Sequence, residues 1–192
     1  LQGLAETAAT VAERGCAFVV RLDEPDRAAL RLARELKPAC VVADENPLRV
    51  GQAWRNRIRE GLDVRMDIVD ADVVVPSAHF PREEWSAATL RRKLTPVLYQ
   101  YLTPEPEAVP QVRWSAPPPP GEDVLSWEAL LRRLPVSRDV LPVPGAVGGR
   151  AAGLRCLEIF VRERLIRYAE QRNRPELEAT SRLSAYLHFG QV

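Results

Sequence analysis

Histidine occurs only twice in this sequence, methionine once and cysteine three times, and each scarcity removes a class of function. With His79 and His188 alone, a histidine-based metal site is not expected, and no metal ligands are assigned. Cys16, Cys40 and Cys156 are odd in number and far apart, so neither a disulfide framework nor a close metal-ligand pair is present. They read as small buried hydrophobes in a reducing compartment. No stretch approaches the roughly 20 apolar residues of a membrane span, and no signal-peptide pattern is visible. The chain is therefore expected to be cytoplasmic, without a membrane partner. Charge of one sign is lacking too: 27 basic against 26 acidic residues leave a net charge of +1. That gives no electrostatic footprint for nucleic acid. The absence of a G-x-G-x-x-G loop argues against a nicotinamide dehydrogenase.

What remains is an ordinary globular composition, 46% apolar and 28% charged. Residues 1–14 read as a helix that ends at Gly15. The apolar run from Cys16 to Leu22 has strand length, and a helix is predicted from Asp23 to Leu36, with Pro25 in its first turn. Ala39–Asp44 is a second strand. Asn46 and Pro47 suit the cap and first position of a helix reaching about Gly61, with Trp54 and Ile58 on one face. Val64–Asp70 is a third strand and Val73–Pro76 a short fourth extended piece. Strands that are apolar throughout and alternate with helices predict a parallel sheet covered on both faces, an α/β fold. Glu83–Tyr101 is helical, and Pro96 predicts two helices or a kink. Ten of the 17 prolines lie between Thr103 and Pro144, with one short helix near Ser126–Arg133. That stretch, carrying Trp114 and Trp127, reads as an extended connector.

The last forty residues are the most informative. In Gly153–Asn173, Leu154, Leu157, Val161, Leu165 and Tyr168 recur at spacings of 3, 4, 4 and 3, one face of a helix. Thr180 and Ser181 then open a short apolar helix. Two hydroxyls there suit an N-cap, and the same donors suit a phosphate. The residues alone leave both readings open, and Tyr168 serves equally as a core tyrosine.

The run Arg164-LIRYAEQRNRPELEATSRLSAYLHFGQ-Gln191 resembles the opening of the flavin-binding domain of DNA photolyases. It is most similar to the class II cyclobutane pyrimidine dimer photolyases, with their Y-A-E-x-R-N-x-P element and S-x-L-S-P-Y-L-H-F-G-Q block. Ala185 stands where that block has proline. Upstream, Trp85-SAATLRRKL-Leu94 resembles the family's S-A-R-T-I-R-x-K-I block, and Val74-Val75-Pro76 its V-V-P element. The stretches at Gly3-Leu4, Arg14–Phe18, Asp44–Trp54 and Val69–Ala71 are similar as well.

The resemblance implies an incomplete Rossmann-like α/β domain over residues 1–101 and a proline-rich interdomain linker over 102–145. The first helices of an all-α domain that binds flavin adenine dinucleotide (FAD) follow over 146–192. It implies that Tyr168 contacts the flavin cofactor and that Thr180, Ser181, Arg182, Leu183 and Ser184 hold its phosphates, with no catalytic residue assigned. The implied activity is light-driven repair of DNA by a lyase, with UV-damaged DNA as partner, an antenna chromophore as a further one, and a monomeric state. The chain reads as a fragment at both ends, its DNA-binding region lying beyond Val192, and the isolated piece is expected to be inactive. A cryptochrome-like photoreceptor, an antenna module and a degenerate remnant are the alternatives.

Overall fold

A computed structural model describes residues 1–104 and 108–192; residues 105–107 of the proline-rich stretch lie outside the described residues. The chain divides into two compact units, one of residues 22–108 and one that joins residues 1–21 to 109–192.

The first of these units is the α/β part. Helix α2 (Pro25–Leu36, following α1, Leu4–Glu13, of the other unit) starts with Pro25, whose fixed φ suits a first turn, where the N–H it lacks would have no intrahelical partner. Strand β1 (Cys40–Asp44), helix α3 (Arg49–Gly61) and strand β2 (Arg65–Val69) follow. The strands pair in parallel from Cys40 opposite Arg65 to Asp44 opposite Val69, with α3 as the crossover. The α/β class expected from the sequence holds, with a narrower sheet than four apolar runs suggested. Burial alternates along β1: Val41 and Ala43 are half-buried, while Val42 is 61% exposed. Cys40 stands on that outer face and is exposed, so it is not the buried hydrophobe expected. Val73–Pro76 does not add a strand. Asp70 accepts hydrogen bonds from the Ser77 amide at 2.7 Å and the Ser77 hydroxyl at 2.6 Å, which turns the chain back and leaves only Val75 buried.

Helix α3 begins two residues later than Asn46-Pro47 suggested. The Asn46 carboxamide oxygen instead accepts the Leu48 amide at 2.9 Å, an Asx-type turn that leads into the helix. Trp54 and Ile58 share one face of the helix as expected, and both are half-buried. The α2–α3 contact is pinned by Asp26, only 8% exposed, which accepts a hydrogen bond from the Arg57 guanidinium. That bond holds the Asp26 carboxyl below its ordinary value. A depressed carboxylate contributes stability that is full above its unfolded pKa of about 3.9 and is lost as pH falls through the folded value. Asp26→Asn should therefore flatten the acid limb of the stability curve. Urea midpoints of the purified protein at several pH values below about 5 check this; parallel curves for the two proteins would contradict it.

Helix α4 (Ala87–Tyr101) is one helix, which corrects the first of the two alternatives, two helices or a kink. Ser86 caps it, its hydroxyl accepting the Thr89 amide at 3.2 Å, and the helix runs on through Pro96. Thr95 donates its hydroxyl to the Arg91 carbonyl at 2.8 Å, one residue before the Arg92 carbonyl that Pro96 has no N–H to reach.

In the other unit, α1 ends where Gly15 adopts a φ of +78°, a left-handed stop that favours glycine. Residues 16–22 run without strand pairing, against the strand expected there. Gly15 O accepts the Trp114 amide at 2.7 Å and Val20 O the Glu122 amide at 2.8 Å. Between those two bonds the facing segment is Pro117–Pro120, which has no N–H to continue a ladder. Cys16 is exposed and Cys156 half-buried. The short helix α5 (Trp127–Arg133) forms as predicted and buries Leu130 to 3% exposure. Among the described residues no helix is long and apolar enough to cross a membrane.

Candidate functional site

Helix α6 (Arg150–Ile159) opens the C-terminal region, and side chains distant in sequence satisfy its free amides. Gly148 N–H donates to Gln2 Oε1 at 2.6 Å, Gly149 N–H to Gln191 Oε1 at 3.0 Å, and Ala151 N–H to Glu6 Oε2 at 3.0 Å. Glu6 also places negative charge at the positive end of the helix dipole. Gln191, the last residue of the H-F-G-Q motif, is thus a structural cap. Tyr186 of the same block donates its hydroxyl to Val147 O at 2.7 Å, and burial, followed by the Cys156 thiol nearby, pushes its phenol pKa up.

The helix does not continue as a simple α-helix. Phe160–Arg164 forms a π-turn, and α7 (Leu165–Gln171) follows. The residues that turn inward differ from the expected line. Val161 is 54% and Leu165 49% exposed, whereas Phe160 and Arg164 are half-buried in the places expected of them. With Leu157, Tyr168 and Gln171 they recur at spacings of 3, 4, 4 and 3, an ordinary helical face that takes Phe160 and Arg164 in place of Val161 and Leu165. Tyr168 remains on the line, its ring edge-on to Phe160 with centroids 5.4 Å apart and the Arg172 guanidinium 5.9 Å over its face.

The loop from Thr180 to Ser184 precedes α8 (Ser184–His188). Thr180 and Ser181 do not cap that helix. Arg182 has a φ of +57°, which interrupts any helical continuation, and α8 starts only after it. The Ser181 hydroxyl oxygen accepts the Leu183 amide at 3.3 Å, which leaves its own proton to donate. Thr180, Arg182 and Ser184 are exposed, and Leu183 is buried and anchors the loop. Arg164 ties the loop to the helix that carries Tyr168: its guanidinium donates to Thr180 O at 3.3 Å and to Glu178 Oε2 at 3.3 Å. Arg182 also donates to Glu178. Three hydroxyls and one guanidinium within five residues form a donor-rich, carboxylate-free set, and the one flanking carboxylate is matched by two arginines. That chemistry fits a phosphate or diphosphate. His188, expected to be packed, is exposed, with its ring 4.8 Å from that of Phe189 and edge-on to it.

The family model described as DNA photolyase matches residues 1–111. The chain belongs to the DNA photolyase family. It is 33% identical to a deoxyribodipyrimidine photo-lyase of Oryza sativa over 204 residues, which cover the whole chain and 40% of that relative. Against the deoxyribodipyrimidine photo-lyase of Methanothermobacter thermautotrophicus it is 28% identical over 193 residues, covering 42% of that protein. A solved structure, a bacterial class III photolyase from Agrobacterium tumefaciens, shares the fold with a TM-score of 0.64 at 21% identity, over all of this chain and 40% of the other. The chain thus spans about 40% of the length of these photolyases. The match to the rice photolyase runs through Tyr168 and Thr180–Ser184, which the family model does not reach. Sequence reasoning passed over Arg164, Gln191 and Tyr186 as functional positions; only Tyr186 and Gln191 lie in a motif that marks them.

Proposed function

We propose that this chain is the α/β part and the first wall of the flavin site of a light-driven photolyase that splits cyclobutane pyrimidine dimers in UV-damaged DNA. Residues 1–101 form the α/β domain, 102–145 the connector and 146–192 the start of the helical domain. Thr180, Ser181, Arg182 and Ser184 hold the diphosphate of FAD, Leu183 anchors their loop from beneath, and Tyr168 contacts the cofactor. Reduced FAD, excited by blue light, supplies the electron that opens the dimer. The chain's own residues bind and orient that cofactor.

The observation that carries this reading is the donor-rich loop tied through Arg164 to the helix bearing Tyr168, in a chain of this family. The test is illumination of the full-length gene product with an oligonucleotide containing one thymine dimer. Restoration of the intact thymines only in blue light is expected. Flavin bound tightly with no repair would instead mark a photoreceptor. The 192-residue chain alone leaves Thr180, Arg182 and Ser184 in solvent, so it is expected to purify without flavin colour.

A further inference from the structure

Arg164 is the charged member of an inward line otherwise made of Leu157, Phe160, Tyr168 and Gln171. Its side chain is only 24% exposed, in contrast to Arg162, at 64%, on the same turn. Burying most of a guanidinium is unfavourable unless its donors are used. Here its two terminal nitrogens reach different partners, the Thr180 carbonyl and the Glu178 carboxylate, each at 3.3 Å. Glu178 is shared with Arg182, the non-glycine residue held at φ +57°. A left-handed backbone of that kind persists only where its surroundings hold it. The π-turn ends at Arg164 and sets it one turn before Tyr168.

We propose that Arg164 is a positioning residue. It fixes the Thr180 carbonyl directly and Arg182 through Glu178, so that the loop's hydroxyls face one ligand as a preset array. This deepens, and rests on, the reading of Thr180–Ser184 as a diphosphate loop. A guanidinium performs this because its planar fork serves two acceptors at once, which a lysine ammonium on one flexible stem does not.

The experiment uses the full-length gene product freed of flavin, with Arg164→Ala and Arg164→Lys variants. FAD and riboflavin, which lacks the diphosphate, are the probes, and trypsin cleavage after Arg182 reports on the loop. Arg164→Ala should weaken FAD binding about tenfold, the order a lost orienting bond costs, while riboflavin binding stays unchanged and cleavage after Arg182 quickens. Arg164→Lys, which keeps a cation for Glu178, should fall between. Should Arg164→Ala fail to fold, Arg164→Lys and Glu178→Gln carry the same comparison. An equal loss for both ligands makes Arg164 a general packing residue and overturns the proposal, as does no loss for either. If hydroxyl-to-alanine variants bind FAD normally while Arg164→Ala still quickens cleavage, the diphosphate reading fails and the hold on the loop stands.

Discussion

Gly153→Leu should destabilise the C-terminal region by about 3 kcal/mol, the upper part of what overpacking costs. A side chain at Gly153 has no space: a Cβ there would lie 2.3 Å from Val192 Cγ2 and 3.0 Å from Tyr186 Cδ1. Tyr186 is unable to swing aside without breaking the bond from its hydroxyl to Val147 O. The sign is diagnostic. In an open helix interior glycine is the less stable residue, by roughly 0.5–1 kcal/mol relative to alanine. At Gly153 even alanine should lower the urea midpoint, because the contact outweighs the gain in helix propensity. Val192→Ala in the same background should recover part of the loss, a coupling that a double-mutant cycle reads directly. If Gly153→Ala raises the midpoint, the close packing of α6 on Tyr186 and Val192 is wrong.

The second large effect concerns the ligand. Replacing Thr180, Ser181 and Ser184 together with alanine should weaken FAD binding to the full-length protein by about 100-fold or more. Hydrogen bonds to a charged partner contribute about 1.5–3 kcal/mol each, and 100-fold corresponds to about 2.7 kcal/mol. Three such bonds exceed that figure, and water filling the space of the lost hydroxyls returns part of the difference. Fold stability should change little, since Thr180 and Ser184 are exposed and the Ser181 contact to the Leu183 amide is a long one at 3.3 Å. Titration of the flavin-free protein, followed by flavin fluorescence, separates the two effects. A collapse of thermal stability alongside lost binding would make the hydroxyls part of the fold.

Much of the helical skeleton was legible because local signals fix it. Pro25 suits the first turn of a helix, Trp54 and Ile58 share a face by spacing, and Gly15 stops a helix because its φ is positive. Strands were less legible because a strand is a pairing. Cys16–Leu22 has strand composition, but between the bonds from Trp114 and Glu122 the facing segment carries Pro117–Pro120, which have no N–H to donate. Of the two readings of Pro96, two helices or a kink, the first fails because the helix runs through the proline from Ala87 to Tyr101. At the site, the motif marked Tyr168 and Thr180–Ser184, whereas Phe160 and Arg164 share a half-buried face of ordinary helical spacing that the apolar Val161 and Leu165 drew attention away from. Arg164 carries no local signal, because its fork meets residues 14 and 16 positions away.

The central claim is that Thr180–Ser184 holds the FAD diphosphate. A crystal structure of the full-length gene product with FAD tests it most directly. The account predicts phosphate oxygens within hydrogen-bonding distance of the Thr180, Ser181 and Ser184 hydroxyls, with Arg164 still on the Thr180 carbonyl. A diphosphate bound elsewhere, with these hydroxyls facing water or protein, would contradict it.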